Sequence, residues 1–542
     1  MAVVGTAPVP STVALEFARD HHGVAWITVA CAVAACAPAG LRWLRVAQRE
    51  HYLAGSVLRF AGRWWRSTPT NAALATAAVA AAVASLWWPL AGVATAAVVA
   101  AGPIGLGVRG RTSPLAWTRR LRTLAAVWAG LVVVLVVVGV VTGAASPLAV
   151  VAALAVPVLV DLACWATTPL ERRLSGRFVD RAAARLVRVA PTVVAITGSF
   201  GKTSTKGHVA FLVTGTRSVV ATPASFNNRA GLARAVNEHL ADGTEVFVAE
   251  MGTYGPGEIA DLVGWCPPDI AVITAIGPVH LERFGSEDRI VEAKSEILGP
   301  APDVVLAVDD PRLAAVADRA AAAGKRVHRC SARDPAADVA VVRGSGGALS
   351  VYRRGSVLAE GIEVPVGVQP SNLACAIAVA LVVGVDPEAV GSRLSGLPST
   401  DHRLQAVRSG TGATILDDTY NSNPAGASAA LAALASAAGD GPADGGGSRR
   451  AVVVTPGMVE LGARQFEENR RFGAAVAGVA TDLVIVGRTN RRALQVGSAS
   501  VPGAGVRTVL VGDRPEAVTW VREHLGPGDA VLYENDLPDH YP

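Results

Sequence analysis

The stretch that decides the fold reads Thr192-Val-Val-Ala-Ile-Thr-Gly-Ser-Phe-Gly-Lys-Thr-Ser-Thr-Lys206. A β-branched run leads into glycines, a lysine and a threonine, which is the order expected where a strand turns into a helix around a phosphate. The usual phosphate-loop pattern has its first glycine at the position of Ile196, but the nearest glycine before Gly201 is Gly198. The spacing alone leaves a nucleotide site and an ordinary strand-to-helix turn both open.

Lysine usage favours the nucleotide site. The chain has 49 basic residues, and only four of them are lysines, at positions 202, 206, 294 and 325. Two of the four lie in or beside the loop. The lysine of a phosphate loop acts as a compact point charge, and arginine is not an equivalent substitute for it. Gly198 and Gly201 would let backbone amides face a phosphate, Lys202 would add a point charge, and the Thr203 hydroxyl would hold Mg²⁺.

Composition divides the 542-residue chain into unlike parts. The long uncharged apolar runs and nine of the eleven tryptophans lie before about residue 168, so we expect a membrane domain there. Each run is near the roughly 20 residues that a helix needs to cross hydrocarbon. About five transmembrane helices are expected, at 24–40, 72–88, 91–107, 123–143 and 147–167.

Arginine clusters follow the first, third and fifth of these spans. The positive-inside rule then places all three clusters in the cytoplasm, which predicts a multi-pass protein of the bacterial cell membrane with cytoplasmic catalytic domains and its N-terminus outside. Asp161, near the cytoplasmic end of the last span, is expected to snorkel. A basic amphipathic helix at 169–190 either lies on an anionic leaflet or packs on the soluble domain, and the sequence leaves both open.

From about residue 191, short β-branched runs alternate with alanine-rich helical patterns, which predicts mostly parallel sheets covered by helices. The expected fold class is therefore an α-helical membrane domain followed by α/β domains. The six cysteines suggest neither a zinc site nor a disulfide framework, and the soluble part gives no reason to expect nucleic-acid binding. The expected boundaries are 1–168 for the membrane domain, 169–190 for a linker helix, and 191–398 and 399–542 for two α/β domains.

Several motifs follow the loop in a fixed order. They are Phe226-Asn-Asn228, Ala249-Glu-Met-Gly252, Ile276-Gly-Pro-Val-His-Leu-Glu282, Ala293-Lys-Ser-Glu-Ile297 and Asp417-Asp-Thr-Tyr-Asn-Ser-Asn-Pro424. Their order and spacing resemble the Mur ligases, most closely the branch that adds D-alanyl-D-alanine to the peptidoglycan precursor peptide. That family's nucleotide loop reads G-T-x-G-K-T-T, so the short spacing is its normal form. The resemblance covers roughly residues 191–535 and implies a central P-loop ATPase domain followed by a C-terminal Rossmann-like domain.

The resemblance also implies the chemistry. In these ligases ATP phosphorylates a carboxylate and an amine attacks the acyl phosphate, which gives an amide, ADP and phosphate. Two Mg²⁺ ions and a carbamoylated lysine at Lys294 are implied as well. The implied metal ligands are Thr203, Glu250, His280 and Lys294, and the implied catalytic residues are Lys202, His280, Lys294 and Arg403. The implied nucleotide contacts are Gly198, Ser199, Phe200, Gly201, Lys202, Thr203, Ser204, Asn372, Arg403 and Asp418.

The substrate side departs from the family pattern. A turn-forming role for the asparagine pair of the first motif stays open beside a role at the substrate. The family's H-N-x-x-N becomes Val368-Gln-Pro-Ser-Asn372, its G-D-M-L-E-L-G becomes Pro456-Gly-Met-Val-Glu-Leu-Gly462, and its terminal K-G-S becomes Tyr533-Glu-Asn-Asp536. We therefore expect altered substrate pockets and a product other than the ordinary UDP-linked pentapeptide. The implied substrate contacts are Asn227, Asn228, Tyr420, Asn421 and Asn423.

The predicted function is a membrane-anchored, cytoplasm-facing, ATP-dependent carboxylate–amine ligase in cell-wall, capsule or peptide biosynthesis. Its expected partners are a carboxylate acceptor, an amino acid or dipeptide that supplies the amine, the lipid bilayer and a membrane partner subunit. A poly-γ-glutamate synthetase is an alternative that the G-K-T-S form of the loop disfavours. A nucleotide-gated scaffold or transporter component without ligase activity is a second alternative. The scarcity of charges within the spans disfavours transport.

Overall fold

The structure, a computed structural model, describes residues 12–108, 115–365, 367–398, 405–419, 423–438, 449–537 and 540–542, with side chains from residue 23 onward except that of Gln405. By its internal contacts the chain forms two units. We call Met1–Leu174 together with Leu537–Pro542 the helical unit, and Ser175–Asp536 the α/β unit.

Small residues let the helices of the helical unit pack closely. Ala32, Ala35 and Ala39 on the first helix are all buried. A Cβ atom on Gly92 would lie 2.6 Å from the Thr28 side chain and 2.7 Å from that of Val150, so three helices meet there with no room for a larger residue. The helices are α1 (Thr12–Arg49), α2 (Ser56–Arg66), α3 (Pro69–Ala84), α4 (Ala91–Ala101), α5 (Arg119–Thr142), α6 (Ala145–Leu154) and the start of α7 (Val156–Val189).

The five-span prediction is not confirmed. Among the described residues, two helices are long and apolar enough to cross a membrane, at Gly23–Arg49 and Arg119–Thr142. The pair α6 and α7, bent by 74° at its break, would add a third if it acts as one span. Helices α3 and α4, where two further spans were expected, have 16 and 11 residues. At 1.5 Å per residue they are about 24 and 17 Å long, short of the roughly 30 Å of hydrocarbon.

Two buried charged residues cap helices of this unit. The Asp161 carboxylate accepts hydrogen bonds from the backbone N–H groups of Gly55, Val57 and Leu58 at 3.0, 3.2 and 2.7 Å. Its negative charge therefore sits at the N-terminus of α2, where the helix dipole favours it. The prediction that Asp161 snorkels is wrong, because its charge is used inside the unit. The Arg42 guanidinium likewise donates to carbonyl oxygens at the C-terminal end of α4.

The α/β unit begins with the last turns of α7. Val179, Ala182 and Leu186 are buried in the core of this unit. The Arg185 guanidinium donates to the carbonyl oxygens of Leu240 and Asn237 at 2.6 and 2.9 Å. Of the two readings left open for the basic amphipathic helix, packing on the soluble domain therefore describes its last turns.

The first domain of this unit is built on a nine-stranded sheet, counted over the described residues, with the order β2-β3-β1-β4-β5-β6-β7-β8-β9. Neighbouring strands are parallel as far as β7, and the last two pairings are antiparallel. The strands are β1 (Thr192–Thr197), β2 (Val219–Ala221), β3 (Val246–Glu250), β4 (Ile270–Ile273), β5 (Asp303–Ala307), β6 (Arg326–Ser331), β7 (Val339–Arg343), β8 (Leu349–Arg353) and β9 (Ser356–Ile362).

Helices connect and cover these strands, as expected for parallel pairing. Strands β3, β4 and β5 are buried along their whole length, which explains why the sequence shows continuous apolar runs there. The helices are α8 (Lys202–Val213), α9 (Arg229–His239), α10 (Glu258–Trp265), α11 (Leu281–Phe284), α12 (Glu287–Ser295), α13 (Pro311–Ala322), α14 (Pro370–Val382) and α15 (Pro387–Arg393).

The second domain has a six-stranded sheet, counted in the same way, with the order β10-β11-β15-β12-β13-β14. Only the pairing of β10 with β11 is antiparallel among its described strands. The predicted order of a helical region and two α/β domains is confirmed. The elements are β10 (Gln405–Arg408), β11 (Thr414–Asp418), α16 (Pro424–Ala438), β12 (Ala451–Thr455), α17 (Gln465–Ala477), β13 (Asp482–Val486), α18 (Arg491–Ala499), β14 (Arg507–Val511), α19 (Arg514–His524) and β15 (Ala530–Glu534).

A buried glutamate ends the central strand of this second sheet. Glu534 lies beside Asp418 in the strand register, and its Oε2 accepts a 2.8 Å hydrogen bond from the Thr455 hydroxyl on the other side. Within the described part of the chain, its Oε1 has no hydrogen-bond partner. Burial raises the pKa of Glu534 to about 8, with the Thr455 hydrogen bond acting against it and the Asp418 charge acting with it. Glu534 therefore holds a proton near neutral pH.

The protonation of Glu534 leads to a prediction about how the free energy of unfolding depends on pH. Folded Glu534 binds a proton up to about pH 8, whereas an unfolded glutamate releases it near pH 4.3. The stability linked to this proton is thus complete below about pH 4.3 and is lost as pH rises towards 8, at up to about 1.4 kcal/mol per pH unit. Glu534→Gln cannot titrate and should lose less stability over this range. Thermal unfolding of the detergent-purified chain from pH 5 to 9 measures the difference, and identical pH profiles for both proteins would refute the assignment.

Candidate active site

The glycine-rich loop between β1 and α8 has two glycines that leave its backbone uncovered by side chains. Gly198 and Gly201 have φ angles of 155° and 83°, which favour glycine. A Cβ atom on Gly198 would lie 2.1 Å from Thr274 Oγ1, and one on Gly201 would lie 2.2 Å from Asn372 Oδ1. The Lys202 ammonium donates a 2.8 Å hydrogen bond to the Gly198 carbonyl oxygen. The loop thus presents the first backbone amides of α8 together with a lysine, which suits a phosphate.

The end of β4 holds the loop from the other side. Thr274 Oγ1 donates to the carbonyl oxygen of Phe200 at 2.5 Å. Ser199 Oγ donates to the Gly277 carbonyl oxygen at 3.1 Å and accepts from the Gly277 amide at 3.0 Å. Ser199 and Phe200, predicted as nucleotide contacts, therefore have side-chain and backbone bonds that fix the loop itself.

A buried carboxylate lies beside the loop. Glu250, at the end of β3, is 1% exposed. Its Oε2 accepts from the Thr203 hydroxyl at 3.1 Å and pairs with the Lys206 ammonium at 3.0 Å, while its Oε1 accepts from Asn227 Nδ2 at 3.0 Å. Burial alone would raise the pKa of Glu250, but the charges of Lys206 and Lys202 and the hydrogen bonds from Asn227 and Lys206 outweigh it and lower the pKa.

These contacts bring together Lys202, Thr203 and Glu250, as the sequence predicted, and add Lys206, to which it gave no role. Among the described residues there is no group of three or more His, Cys, Asp or Glu side chains able to hold a metal. Mg²⁺ does not need such a cage, because it commonly takes one or two protein oxygens together with phosphate oxygens and water. The Thr203 hydroxyl and the Glu250 carboxylate are such a pair, so they fit the ion.

Lys294 lies in the last turn of α12 and is 2% exposed. No hydrogen bond or ion pair to its ammonium is found within the described part of the chain. Burial, and then the charge of Lys202, lowers the pKa of Lys294 well below its ordinary value. A neutral amine is the form that reacts with carbon dioxide, so this environment fits the predicted carbamate.

His280 precedes α11 and has a left-handed backbone, with φ 55°. Its Nδ1 contacts the Glu460 carboxylate of the second domain. The Tyr254 ring meets the imidazole edge-on at 4.8 Å between centroids. Glu460 lies 180 positions away along the chain, and the sequence gave it no role.

The other predicted contacts divide into four groups. Asn372 lies against the loop at Gly201, as a nucleotide contact would. Asn228 and Asn423 accept hydrogen bonds from Gly231 and Gly426 at the starts of α9 and α16, so both cap helices. Asp418 is buried at the end of β11, and Ser204 is half-buried in the first turn of α8. Arg403, Tyr420 and Asn421 lie outside the described residues.

Comparison with known families and sequences agrees with this geometry. Residues 196–380 match the Mur ligase middle domain, and residues 402–533 match the family described as Mur ligase, glutamate ligase domain. The chain is 35% identical over 380 residues to the UDP-N-acetylmuramoyl-tripeptide–D-alanyl-D-alanine ligase of Mycobacterium leprae, which covers 66% of this chain and 73% of the relative. The enzyme of the same name from Bacillus subtilis is 29% identical over 367 residues, which covers 65% of this chain and 75% of the relative.

Solved structures agree as well. The MurF ligase of Thermotoga maritima in complex with ADP aligns with a TM-score of 0.53 and 27% identity over 67% of this chain and 80% of that one. A MurF crystal structure from Acinetobacter baumannii aligns with a TM-score of 0.56 over 66% of this chain and 77% of that one. At 23% identity, the second supports the fold alone. The chain belongs to the Mur ligase family of ATP-dependent acid–amino acid ligases.

Proposed function

We propose that this chain is a membrane-anchored ligase that joins the carboxylate of a peptide acceptor to the amine of an amino acid or dipeptide during cell-wall synthesis. The observation that supports this most is the contact of Thr203 with Glu250 beside the glycine-rich loop. The Mycobacterium leprae relative is named for a UDP-N-acetylmuramoyl-tripeptide and D-alanyl-D-alanine. These two compounds are therefore the first acceptor and the first amine to test.

The first half-reaction needs two anions to meet. An acceptor carboxylate oxygen attacks the γ-phosphorus of ATP, and the bond from that phosphorus to ADP breaks. The loop amides and Lys202 would bind the phosphates and stabilise the charge that develops on them. Thr203 and Glu250 would hold Mg²⁺, which supplies further positive charge when bound. Lys206 keeps Glu250 ionised and oriented for this role.

The second half-reaction forms the amide. The amine attacks the acyl carbon, the bond from that carbon to the phosphate oxygen breaks, and the nitrogen loses a proton. Three products result, an amide, ADP and phosphate. The segment Tyr533-Glu-Asn-Asp536 contains no lysine, whereas the family's terminal K-G-S does, so we propose that this chain takes an amine with different charge requirements.

The position of Lys202 in the phosphate loop leads to a prediction about the rate of phosphate release. Lys202→Ala should lower amine-dependent phosphate release by at least about 100-fold, because a cation aimed at the transferred phosphoryl group is lost. Lys325→Ala is the matched control, since Lys325 donates to the carbonyl oxygens of Gly299 and Ala301, away from the loop. The assay is phosphate release by the detergent-purified chain with ATP, Mg²⁺, the acceptor and D-alanyl-D-alanine.

The amine and acceptor controls separate the alternatives. Release that needs both the acceptor and one amine supports the ligase. Release that needs glutamate and a γ-glutamyl peptide instead would favour a poly-γ-glutamate synthetase. Nucleotide binding with no amide formed from any of these compounds would leave a lipid-linked acceptor and the nucleotide-gated scaffold as the two explanations. Repeating the assay with a membrane extract as the source of acceptor separates them, because only the ligase would then form an amide.

Lys294 is proposed to carry a carbamate. Its neutral amine would form an N–C bond to carbon dioxide and release one proton, and the product is an anion that can help to hold a cation. ¹³C-labelled bicarbonate should therefore give a carbamate signal in the NMR spectrum of the wild-type chain. The signal should vanish in Lys294→Ala and persist in Lys325→Ala. An unchanged signal in Lys294→Ala would show that the label sits elsewhere.

Membrane anchoring is supported by the two apolar helices and by the bent pair. We propose that the catalytic domains face the cytoplasm and the N-terminus faces outward, which would present a lipid-linked or membrane-adjacent acceptor to the ligase. A membrane partner subunit remains part of this proposal.

Anchoring predicts how the chain extracts from cells. It should sediment with membranes, resist extraction by alkaline carbonate and dissolve in detergent, because apolar helices in the bilayer are not released by removing charge contacts. A fragment of residues 175–536 should lose this resistance. Release of the full chain by alkaline carbonate would contradict membrane insertion and leave the ligase chemistry untouched.

A further inference from the structure

Glu460 brings the second domain of the α/β unit into contact with His280 of the first. Its carboxylate lies against His280 Nδ1 and accepts a 3.5 Å hydrogen bond from Arg283 Nη2. Arg283 also stacks over the Tyr254 ring at 4.7 Å, and Tyr254 meets the imidazole edge-on. The imidazole is therefore held on two sides, by a carboxylate from one domain and by an aromatic ring from the other.

Both ends of this contact have unusual backbone conformations. His280 and Glu460 have φ angles of 55° and 64°, in the left-handed region that side chains other than glycine rarely adopt. Such conformations persist where the surrounding structure imposes them, and they concentrate at functional sites. The backbone of each domain is thus shaped to present its side chain to the other.

We call residues 460–464 the bridging loop. This loop makes two further contacts between the second domain and the first. A Cβ atom on Gly462 would lie 3.4 Å from backbone atoms of Leu281 and Glu282, so the loop rests directly on α11. Arg464 pairs with Glu287, the first residue of α12, and Glu287 also pairs with Arg312. The bridging loop therefore rests on the two helices next to His280 and Lys294.

The contact with Glu460 favours one of the two neutral tautomers of the His280 imidazole. Of the two neutral tautomers, a carboxylate that accepts from Nδ1–H favours the one whose lone pair is on Nε2, and this is the tautomer that binds a cation through Nε2. Within the described residues, no hydrogen bond to His280 Nε2 is found. The nitrogen that would bind a cation thus has no competing protein partner.

We infer that Glu460 is a positioning residue, supplied by the second domain, which orients His280 Nε2 towards a divalent cation. The cation site would then be complete only while the bridging loop rests on α11. This inference rests on the proposed ligase function and on the role of His280 as a metal ligand that the Mur ligase resemblance implies. A simple salt bridge between domains would use the same contacts but would not change the affinity for a cation.

Electron paramagnetic resonance can follow Mn²⁺ binding to the full detergent-purified chain in the presence of ADP. This measurement distinguishes a positioning role of Glu460 from a simple salt bridge between domains. Loss of a carboxylate behind a histidine ligand typically weakens metal binding 10- to 100-fold. Glu460→Ala should weaken Mn²⁺ binding by about 10-fold or more. The double variant that combines Glu460→Ala with His280→Ala should bind Mn²⁺ no more weakly than His280→Ala alone. Glu460→Gln should stay close to wild type, because its amide oxygen still accepts from Nδ1–H.

Glu468→Gln is the matched control, because Glu468 pairs with Arg471 on the same domain, away from His280. Glu460→Asp replaces the alanine variant if the latter does not fold, and its shorter side chain should weaken Mn²⁺ binding as well. Wild-type Mn²⁺ affinity in Glu460→Ala together with weakened affinity in His280→Ala would overturn the inference alone. Wild-type affinity in His280→Ala would overturn the metal role of His280 and the inference together, and the Lys202 assay would still decide whether the chain is a ligase.

Discussion

The buried carboxylate of Glu250 is the constraint on which the nucleotide site depends. A buried anion is tolerated only when donors surround it, and removing one partner leaves its charge uncompensated. Here Thr203 and Lys206 approach from α8 and Asn227 approaches from the loop before α9. Because α8 begins at the glycine-rich loop, the same contacts that neutralise Glu250 also fix the loop against the end of β3.

The sequence predicted the loop and the sheets well because these features are local. The strand at 192–197, the glycines and the lysine follow one another along the chain, and continuous apolar runs mark strands that are buried on both faces. Lys206 stood out only as a rare lysine. Its partner depends on the register that sets Ile196 of β1 beside Glu250 of β3, and no local pattern reveals that register. Glu460 stood within a motif that matched the family pattern, but its partner was equally hidden, since His280 lies 180 positions away along the chain.

In the helical unit, composition alone did not predict the lengths of the helices or the roles of two charged residues. Apolar runs predicted five helices of similar length, but α3 and α4 have only 16 and 11 residues, and α3 begins at Pro69 behind the Thr68 cap. Arg42 belongs to the arginine cluster after the first expected span, which was used as a marker of the cytoplasmic side, and Asp161 was expected to reach for the interface. In the structure each caps a helix of its own unit, Arg42 at the end of α4 and Asp161 at the start of α2. Charges near apolar runs thus carry structural as well as topological information.

The central claim is that ATP drives amide formation through an acyl phosphate made on the acceptor. The most direct measurement uses an acceptor peptide in which both oxygens of the reacting carboxylate are ¹⁸O. The peptide is incubated with the chain, ATP, Mg²⁺ and D-alanyl-D-alanine, and the released phosphate is analysed by mass spectrometry. The account predicts that each phosphate formed with an amide carries one ¹⁸O, because the carboxylate oxygen leaves with the phosphorus. Amide formation with unlabelled phosphate, or phosphate release without amide, would contradict it.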